Sequence, residues 1–409
     1  MQLRDHQQQA LDALATANKG QVYCPTGGGK TPIMIFDAKR NFENDANTIV
    51  VVAPRILLAN QLCAEFTEFI TTAEIMHVHS GETHYNSSTK PDVIALHDSI
   101  CKTAGIKQLI FTTYHSLPKV IDSGIEIDVV YFDEAHNAVG RHFFTSVAAA
   151  SLHSKKAYFF TATPRTSRNP YSRGMNNHEI YGNVLCNVPA PHLIQNGSII
   201  PPRMEEFNLD VDYTKANAHE INANAIVEIV TNTDNNQKVL VAVPSSKVLA
   251  NIIGHTNILQ QLNDLGYDVL HITSKLGAYV NKTKVNREVF FDTLTHYGKD
   301  KQRKFVLFHY SILSEGINCP GLTQCILLRN LNIVEMAQTV GRVIRMSTDD
   351  IKAIQQGTLA AGDLPNYSKS YGFVTVPTFG KRNAHTVKRL QNVVDAIFVK
   401  GVPPTSIVA

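Results

Sequence analysis

The chain has 409 residues, 44% of them hydrophobic and 18% charged, and these values exclude a disordered protein. At roughly 100–200 residues per domain, the length predicts two to four globular domains. Thirty-eight basic against 35 acidic residues leave a formal net charge of +3, so any anion-binding surface must be local. The longest apolar stretch, Ile49–Ala59, contains a proline and an arginine, which excludes a membrane-spanning helix there.

Short apolar runs alternate along the chain with longer stretches of helical periodicity. In the first half, the predicted strands are Gln21–Cys24, Thr48–Ala53, Gln108–Thr112, Asp128–Asp133 and Lys156–Thr161. In the second half, they are Lys238–Val243, Asp268–Thr273, Lys304–His309, Gln324–Arg329 and Tyr371–Val376. Apolar strands separated by helices are typical of parallel sheets covered on both faces, so the fold class is predicted as α/β. The proline-containing segment Pro189–Pro202 separates the two sets, and we predict domains over 1–195 and 203–409.

A glycine-rich segment, Pro25–Thr31 (PTGGGKT), follows the first predicted strand and precedes a stretch of helical periodicity. Glycines let successive backbone N–H groups turn inward and a helix start adds positive charge, so this segment predicts a phosphate-binding loop. The usual spacing has Gly or Ala where this chain has Cys24, which is small enough to be tolerated. Lys30 is predicted to reach the β- and γ-phosphates, and Thr31 to ligate Mg²⁺. The predicted nucleotide-binding residues of the loop are Pro25, Thr26, Gly27, Gly28, Gly29, Lys30 and Thr31.

Two carboxylates, Asp133 and Glu134, follow the apolar run VVYF and open the sequence DEAH. Open α/β sheets bind ligands at the carboxyl ends of their strands, which is where this pair is predicted to lie. Asp133 is predicted to hold Mg²⁺, and Glu134 to orient and deprotonate the water that attacks the γ-phosphate. Together with the glycine-rich loop, the pair predicts ATP hydrolysis.

A third motif, Gln338–Arg345 (QTVGRVIR), carries two arginines in a stretch of helical periodicity. Guanidinium groups stabilise the charge that builds on a transferred phosphoryl group, an effect of about a thousandfold or more in rate. We therefore predict a catalytic role for this segment. Residues three or four positions apart share one helix face, and the predicted face holds Gln338, Gly341, Arg342 and Arg345.

The loop, the acidic pair and the arginine motif, in this order, resemble the superfamily-2 helicases and translocases over residues 3–345. The resemblance implies two tandem RecA-like, doubly wound parallel-sheet domains with an ATP cleft between them. It also implies ATP and Mg²⁺ as cofactors and a nucleic acid as partner. In that family the second domain supplies arginines to a nucleotide bound by the first.

Further roles come from the resemblance alone. Arg4 and Gln7 would contact adenine, and Gly316, in the segment Ser314–Asn318, would link the nucleic acid to the nucleotide; the family usually has Asp where this chain has Asn318. Contacts with nucleic acid are implied for Pro54, Arg55, Thr112, Thr113, Ser245 and Ser311. Coupling of hydrolysis to domain movement is implied for His136, Thr161 and Thr163.

The opening segment Leu3–Gln7 and the linker Leu193–Pro202 resemble the type III restriction motor group and the phage UvsW-like branch-migration helicases. This narrower resemblance implies forked, branched or duplex DNA as the partner and movement in the 3′-to-5′ direction. Two alternatives stay open: an RNA helicase, and a motor subunit of a larger restriction or repair assembly. Little sequence lies outside residues 3–345, so we expect a compact motor without a nuclease domain.

The six cysteines form no CxxC pair, which predicts reduced thiols rather than a zinc site. The first residues, MQLRDHQQQA, lack the apolar segment of a secretory signal. We therefore expect a protein of the bacterial or phage-infected host cytoplasm, with no membrane partner.

Overall fold

A computed structural model describes residues 3–232, 238–273, 276–310, 319, 321–380 and 382–408. The chain forms two compact units, one of residues 1–189 with 403–409 and the other of residues 190–402. The domain limits expected from the sequence, 1–195 and 203–409, remain a prediction. In the part of the chain that the structure describes, no helix has the length and apolarity needed to cross a membrane.

The first unit is a parallel sheet with helices on both faces. Its strands are β1 (Lys19–Tyr23), β2 (Thr48–Ala53), β3 (Glu74–Val78), β4 (Asn86–Ser87), β5 (Gln108–Thr113), β6 (Val129–Phe132), β7 (Lys156–Thr161), β8 (Arg165–Thr166) and β9 (Asn183–Asn187). Its helices are α1 (Asp5–Ala15), α2 (Lys30–Glu43), α3 (Ile56–Thr67), α4 (Pro91–Ala104), α5 (Leu117–Asp122), α6 (Phe144–His153) and α7 (His178–Tyr181), with a 3₁₀ turn at Ala135–Asn137.

The main sheet of this unit has the strand order β4-β3-β5-β2-β6-β7-β1-β9, and every pairing is parallel. All six residues of β2 (TIVVVA) are buried, which accounts for the apolar character of this strand. Val51 packs in the core on one face of the sheet, and Val50 and Val52 pack in the core on the other. Because all strands run the same way, their carboxyl ends lie along one edge of the sheet.

The second unit repeats this plan with an antiparallel extension. Its strands are β10 (Pro202–Leu209), β11 (Lys238–Ala242), β12 (Asp268–Thr273), β13 (Gly277–Val280), β14 (Thr283–Val285), β15 (Phe305–His309), β16 (Gln324–Leu327) and β17 (Gly372–Phe379). Its helices are α8 (Ala190–Gln195), α9 (Ala218–Asn232), α10 (Ser246–His255), α11 (Ile258–Asp264), α12 (Arg287–Lys299), α13 (Ile333–Val343), α14 (Thr348–Gln355) and α15 (Ala384–Val394), with a 3₁₀ turn at Leu364–Asn366 and a π-helical turn at Asp395–Val399.

The strand order of the second sheet is β10-β17-β16-β11-β15-β12-β13-β14, with antiparallel pairing only from β12 to β14 among the described strands. A last strand, β18 (Ser406–Ile407), pairs with β8 and so belongs to the first unit. The predicted α/β class with two parallel-sheet domains is confirmed. All ten strands predicted from the sequence are present, with ends shifted by a few residues at most.

A single carboxylate joins the starts of three neighbouring strands in the first unit. Asp128, just before β6, accepts hydrogen bonds from the backbone N–H groups of Asn47 (2.6 Å) and Thr48 (2.9 Å), and from Lys155 Nζ (2.6 Å). Burial acts to raise the pKa of Asp128, but these hydrogen bonds outweigh it and hold the pKa below its usual 3.8. The folded state therefore favours the charged carboxylate.

We predict that Asp128→Asn lowers the free energy of unfolding by about 1–3 kcal/mol at pH 7, because hydrogen bonds to a charged acceptor are lost. A carboxyl whose pKa is depressed in the folded state contributes stability above its unfolded pKa and loses it as the pH falls through the folded value. The difference between wild type and variant should therefore shrink below about pH 4. Urea unfolding curves at several pH values measure it.

The control for this variant is Asp122→Asn. Asp122 is an exposed carboxylate 4.0 Å from Lys119, and such surface pairs contribute about 0–1 kcal/mol. Equal stability losses in both variants, or a loss for Asp128→Asn that does not change with pH, would contradict the role of the buried carboxylate.

Candidate functional site

The glycine-rich loop connects β1 to the start of α2 at the carboxyl edge of the first sheet. Gly27 and Gly29 have φ values of +87° and +84°, in the left-handed region that favours glycine. A Cβ on Gly29 would collide with Nε2 of Gln7, which donates a hydrogen bond to the Gly29 carbonyl oxygen (3.1 Å). His6 Nε2 lies 2.8 Å from the Gly28 carbonyl oxygen. Helix α1 therefore holds the loop through two consecutive side chains.

The loop has the features of an anion cradle. The first N–H groups of α2, beginning at Lys30, have no acceptor within their own helix and carry its positive dipole end. Among the residues that the structure describes, the Thr26 hydroxyl is buried without a hydrogen-bond partner. A bound phosphate would supply acceptors for these donors, so the residues present fit a nucleotide.

The acidic pair lies beside the loop. Lys30 Nζ is 3.6 Å from Glu134 Oε1. Burial acts to lower the pKa of Lys30, but Glu134 and Asp133 outweigh it, so its pKa lies above the usual value. Burial and then the Glu134 carboxylate raise the pKa of Asp133 to about 7, against the opposing effect of Lys30. The site therefore holds more negative charge than its own ammonium group neutralises, which suits a divalent cation.

His136 joins the acidic pair to the end of β7. Its Nδ1 lies 3.1 Å from Thr161 Oγ1, 3.3 Å from Thr163 Oγ1 and 3.4 Å from Glu134 Oε2. The structure thus brings together all three residues that the sequence analysis assigned to coupling. Burial lowers the pKa of His136 to about 4, so the ring is neutral at pH 7.

Asn137 fixes which nitrogen of His136 carries the proton. Its Nδ2 donates to the Glu134 carbonyl oxygen (2.9 Å) and lies 3.2 Å from His136 Nε2. An amide NH₂ can only donate, so Nε2 accepts and the single ring proton sits on Nδ1. That proton faces the two threonine hydroxyls and the Glu134 carboxylate.

Glu134 itself has an uncommon backbone conformation. Its φ is +47°, and it precedes the 3₁₀ turn at Ala135–Asn137. A non-glycine residue in this region costs on the order of 1–3 kcal/mol and persists only where its surroundings hold it. The hydrogen bond from Asn137 does so here, and another comes from the Tyr114 hydroxyl to the Asp133 carbonyl oxygen (2.9 Å).

The residues expected to contact nucleic acid in the first unit also lie at the carboxyl edge of the sheet. Pro54 and Arg55 follow β2, and Arg55 is exposed at the start of α3. Thr113 is buried at the end of β5, where its hydroxyl accepts a hydrogen bond from the Ser116 N–H (3.2 Å). Thr112 is fully buried and donates to the Val78 carbonyl oxygen, so its side chain is directed into the protein.

In the second unit, Ser245 directly precedes α10 and its hydroxyl accepts a hydrogen bond from the Val248 N–H (3.1 Å). It therefore caps the helix, as serine does at many helix starts. Ser311 and Gly316 lie outside the described residues, as do Asn318 and the rest of the segment from 314 to 318.

The arginine motif differs from its prediction in one respect. Gln338, Gly341 and Arg342 lie on α13, but this helix ends at Val343 and Arg345 lies beyond it. The placement of all four residues on one helix face is therefore wrong for Arg345. Instead of continuing as a helix, the chain pairs with Ile199 in a short antiparallel bridge. The Ile344 carbonyl oxygen accepts from the Ile200 N–H (2.9 Å), which ends the helical hydrogen-bond pattern.

Sequence reasoning missed several residues of the site. His6 and Asn137 stand directly beside predicted residues, Gln7 and His136, and their polar side chains were a usable signal. Burial also lowers the pKa of His309, at the end of β15, to about 3, with Arg342 and Arg329 adding to the effect. No spacing in the sequence connects His309 with Arg342.

Two family models match the chain. The model described as type III restriction enzyme, res subunit, matches residues 1–166, and the helicase conserved C-terminal domain matches residues 222–347. A search among curated proteins finds no match.

Among solved structures, the DNA-bound ATP-dependent type ISP restriction-modification enzyme LlaBIII is similar, with a TM-score of 0.74 and 15% identity. That likeness covers 100% of this chain but 31% of LlaBIII, so the chain spans less than a third of that enzyme.

Two further structures have the same fold. Mss116p bound to ssRNA and AMP-PNP has a TM-score of 0.61 and 15% identity, covering 100% of this chain and 74% of that one. The helicase Lhr of Mycobacterium smegmatis, bound to ssDNA and AMP-PNP, has a TM-score of 0.60 and 15% identity, covering 95% and 48%. At such identities the likeness shows the fold, which is the tandem RecA-like fold of helicases.

The first family match contains the glycine-rich loop and the acidic pair, and the second contains the arginine motif. The chain therefore carries the two matched domains of a superfamily-2 helicase related to the type III restriction motor group.

Proposed function

We propose that this protein is an ATP-dependent DNA translocase that unwinds or branch-migrates forked and branched DNA in the 3′-to-5′ direction. The observation that carries the proposal is the ion pair of Lys30 with Glu134 beside the glycine-rich loop, with His136 linking Glu134 to Thr161. In this proposal the glycine-rich loop is the phosphate cradle, Glu134 the base and His136 the coupling group, all at the edge of one sheet.

The Lys30–Glu134 ion pair suggests how the site responds to nucleotide. Without phosphate, the ammonium of Lys30 faces Glu134 Oε1 at 3.6 Å. A γ-phosphate would attract Lys30 and release Glu134 to accept a proton from the attacking water. Thr31 and Asp133 are the residues that would hold Mg²⁺, which supplies positive charge to the phosphate oxygens.

Arg342 and Arg345 are the proposed cationic groups of the second unit. In this proposal they contact the γ-phosphate as negative charge builds on it, with Gln338 beside them on α13. Closure is then favoured by the triphosphate and relaxed after hydrolysis. A polynucleotide held in turn by each unit would be moved in one direction.

The choice of DNA over RNA rests on the likeness to restriction motors. The first family match is to a type III restriction subunit, and LlaBIII is a DNA-bound restriction enzyme. An RNA helicase is the second candidate, because the RNA-bound Mss116p shares the fold over the whole chain. A DNA translocase and an RNA helicase would both contact the phosphate backbone, and such contacts give binding with weak sequence preference and strong salt dependence.

Lys30→Ala should lower kcat for ATP hydrolysis by about a hundredfold or more, since it removes a cation that stabilises the phosphoryl oxygens. DNA binding measured by fluorescence anisotropy should persist, because Lys30 belongs to the nucleotide loop and is not among the residues expected to contact nucleic acid. Lys39→Ala, at an exposed lysine of the same helix, is the matched control and should hydrolyse ATP at the wild-type rate. Equal activity of the two variants would contradict the assigned phosphate site.

His136→Ala should reduce the stimulation of ATPase by DNA on the order of tenfold, equivalent to about 1.4 kcal/mol, while basal hydrolysis changes little. The reason is that the imidazole joins Glu134 to the β7 end without binding phosphate. The comparison is steady-state ATPase with and without DNA, using His142→Ala as the exposed control. A proportional loss of basal and stimulated rates would contradict a coupling role.

A panel of nucleic-acid substrates distinguishes DNA from RNA as the partner. We expect ATPase stimulation by DNA to exceed that by RNA, and strand separation on forks and Holliday junctions to exceed that on long duplexes. Lys30→Ala serves as the inactive control on every substrate. Equal stimulation by RNA, with no activity on branched DNA, would select the RNA helicase instead.

A further inference from the structure

The end of α13 is held by groups from two distant parts of the chain. Lys369 Nζ lies 2.6 Å from the Val343 carbonyl oxygen and 3.0 Å from that of Arg345. Between them, the Ile344 carbonyl oxygen accepts from the Ile200 N–H at 2.9 Å. The carbonyl groups of three consecutive residues, which a longer helix would bond itself, are therefore bonded from outside it.

Lys369 has a third acceptor, the Leu322 carbonyl oxygen, at 2.6 Å. An ammonium group has three donors and no acceptor, so the three carbonyl oxygens match it completely. Leu322 follows the predicted segment 314–318 by four residues and leads into β16. The Lys369 side chain therefore connects the residues before β16 with the end of α13.

The loop that carries Lys369 is itself anchored. Ser368 donates to the buried carboxylate of Asp350, from its backbone N–H (3.2 Å) and from its hydroxyl (2.8 Å). Three residues after Lys369, Gly372 packs so closely that a Cβ there would collide with the Val343 carbonyl oxygen. The backbone is therefore held in place on both sides of Lys369.

Burial, with Arg345 and Lys238 adding to the effect, lowers the pKa of Lys369 to about 7, and the helix end acts in the opposite direction. The carbonyl end of a helix carries partial negative charge, and a cation there is favourable. A neutral side chain of the same length would leave three carbonyl oxygens without this donor, and the backbone after Val343 would be held less firmly, by the contacts of Ile199 and Ile200. The residues after Val343 include Arg345, and the last helical turn carries Arg342.

We propose that Lys369 is a positioning residue that holds the Arg342 and Arg345 guanidinium groups in the geometry needed for ATP hydrolysis. This inference rests on the proposed function, because it assigns Lys369 to the same arginines. Lys369 acts through the backbone of α13 and the residues after it, and it touches no nucleotide itself.

The test is a double-mutant cycle on the full chain. Lys369→Met should lower DNA-stimulated kcat about tenfold and leave KM for ATP within about twofold, because the first unit binds the nucleotide and the arginines act in the transition state. In an Arg342→Ala background, the same change should lower the residual kcat by less than about twofold, because the two residues act as one unit. Lys352→Met, at an exposed lysine of α14, is the matched control and should have wild-type kinetics.

A merely structural role gives a different pattern. If Lys369 only stabilises the second unit, its substitution lowers the melting temperature and reduces kcat by the same factor in both backgrounds, which overturns the proposal. Should Lys369→Met fail to fold, Lys369→Gln keeps two N–H donors and carries the same cycle with a smaller expected effect.

The result also separates this inference from the proposed function. A wild-type protein with no DNA-stimulated ATPase overturns the proposed function. An active wild type with an inactive Arg342→Ala and a normal Lys369→Met overturns the role of Lys369 alone. Loss of kcat in both single variants without further loss in the double variant supports it.

Discussion

Parallel strand pairing is the constraint on which the first unit's site depends. Because β1, β6 and β7 run in one direction, the glycine-rich loop, the acidic pair and the Thr161–Thr163 turn all emerge at the same edge of the sheet. At the opposite edge, Asp128 joins the starts of β2, β6 and the chain before β7. The buried carboxylate of Asp128 and the acidic pair of the candidate site thus lie at opposite ends of the strands.

Much of this arrangement could be predicted from the sequence because its signals are local. Apolar runs such as TIVVVA are buried on both faces, and the glycine-rich loop stands at a strand–helix junction. The missed strands had weaker signals: β3 contains the polar His77, and β9 is a half-exposed edge strand. A buried strand that contains a polar residue, and an edge strand that is not buried on either face, lack both the continuous apolar run and the alternation that indicate a strand.

The features that could not be predicted depend on contacts between distant residues. Helical spacing placed Arg345 on α13, but Ile200 and Lys369 take the carbonyl groups that would continue the helix. Likewise, the contact of Gln7 with Gly29 joins two elements whose approach is decided by the packing of α1 on α2. A sequence pattern specifies what a segment prefers, whereas tertiary partners decide where that preference stops.

The left-handed backbone of Glu134 sets chemistry against stability at one position. Asparagine and glycine adopt this conformation more readily than glutamate, so replacement by either would relax the main chain while removing the carboxylate. In the proposed function Glu134 is the base, so either replacement would abolish hydrolysis while making the fold more stable, a short route from such a motor to a protein that binds nucleotide without hydrolysing it.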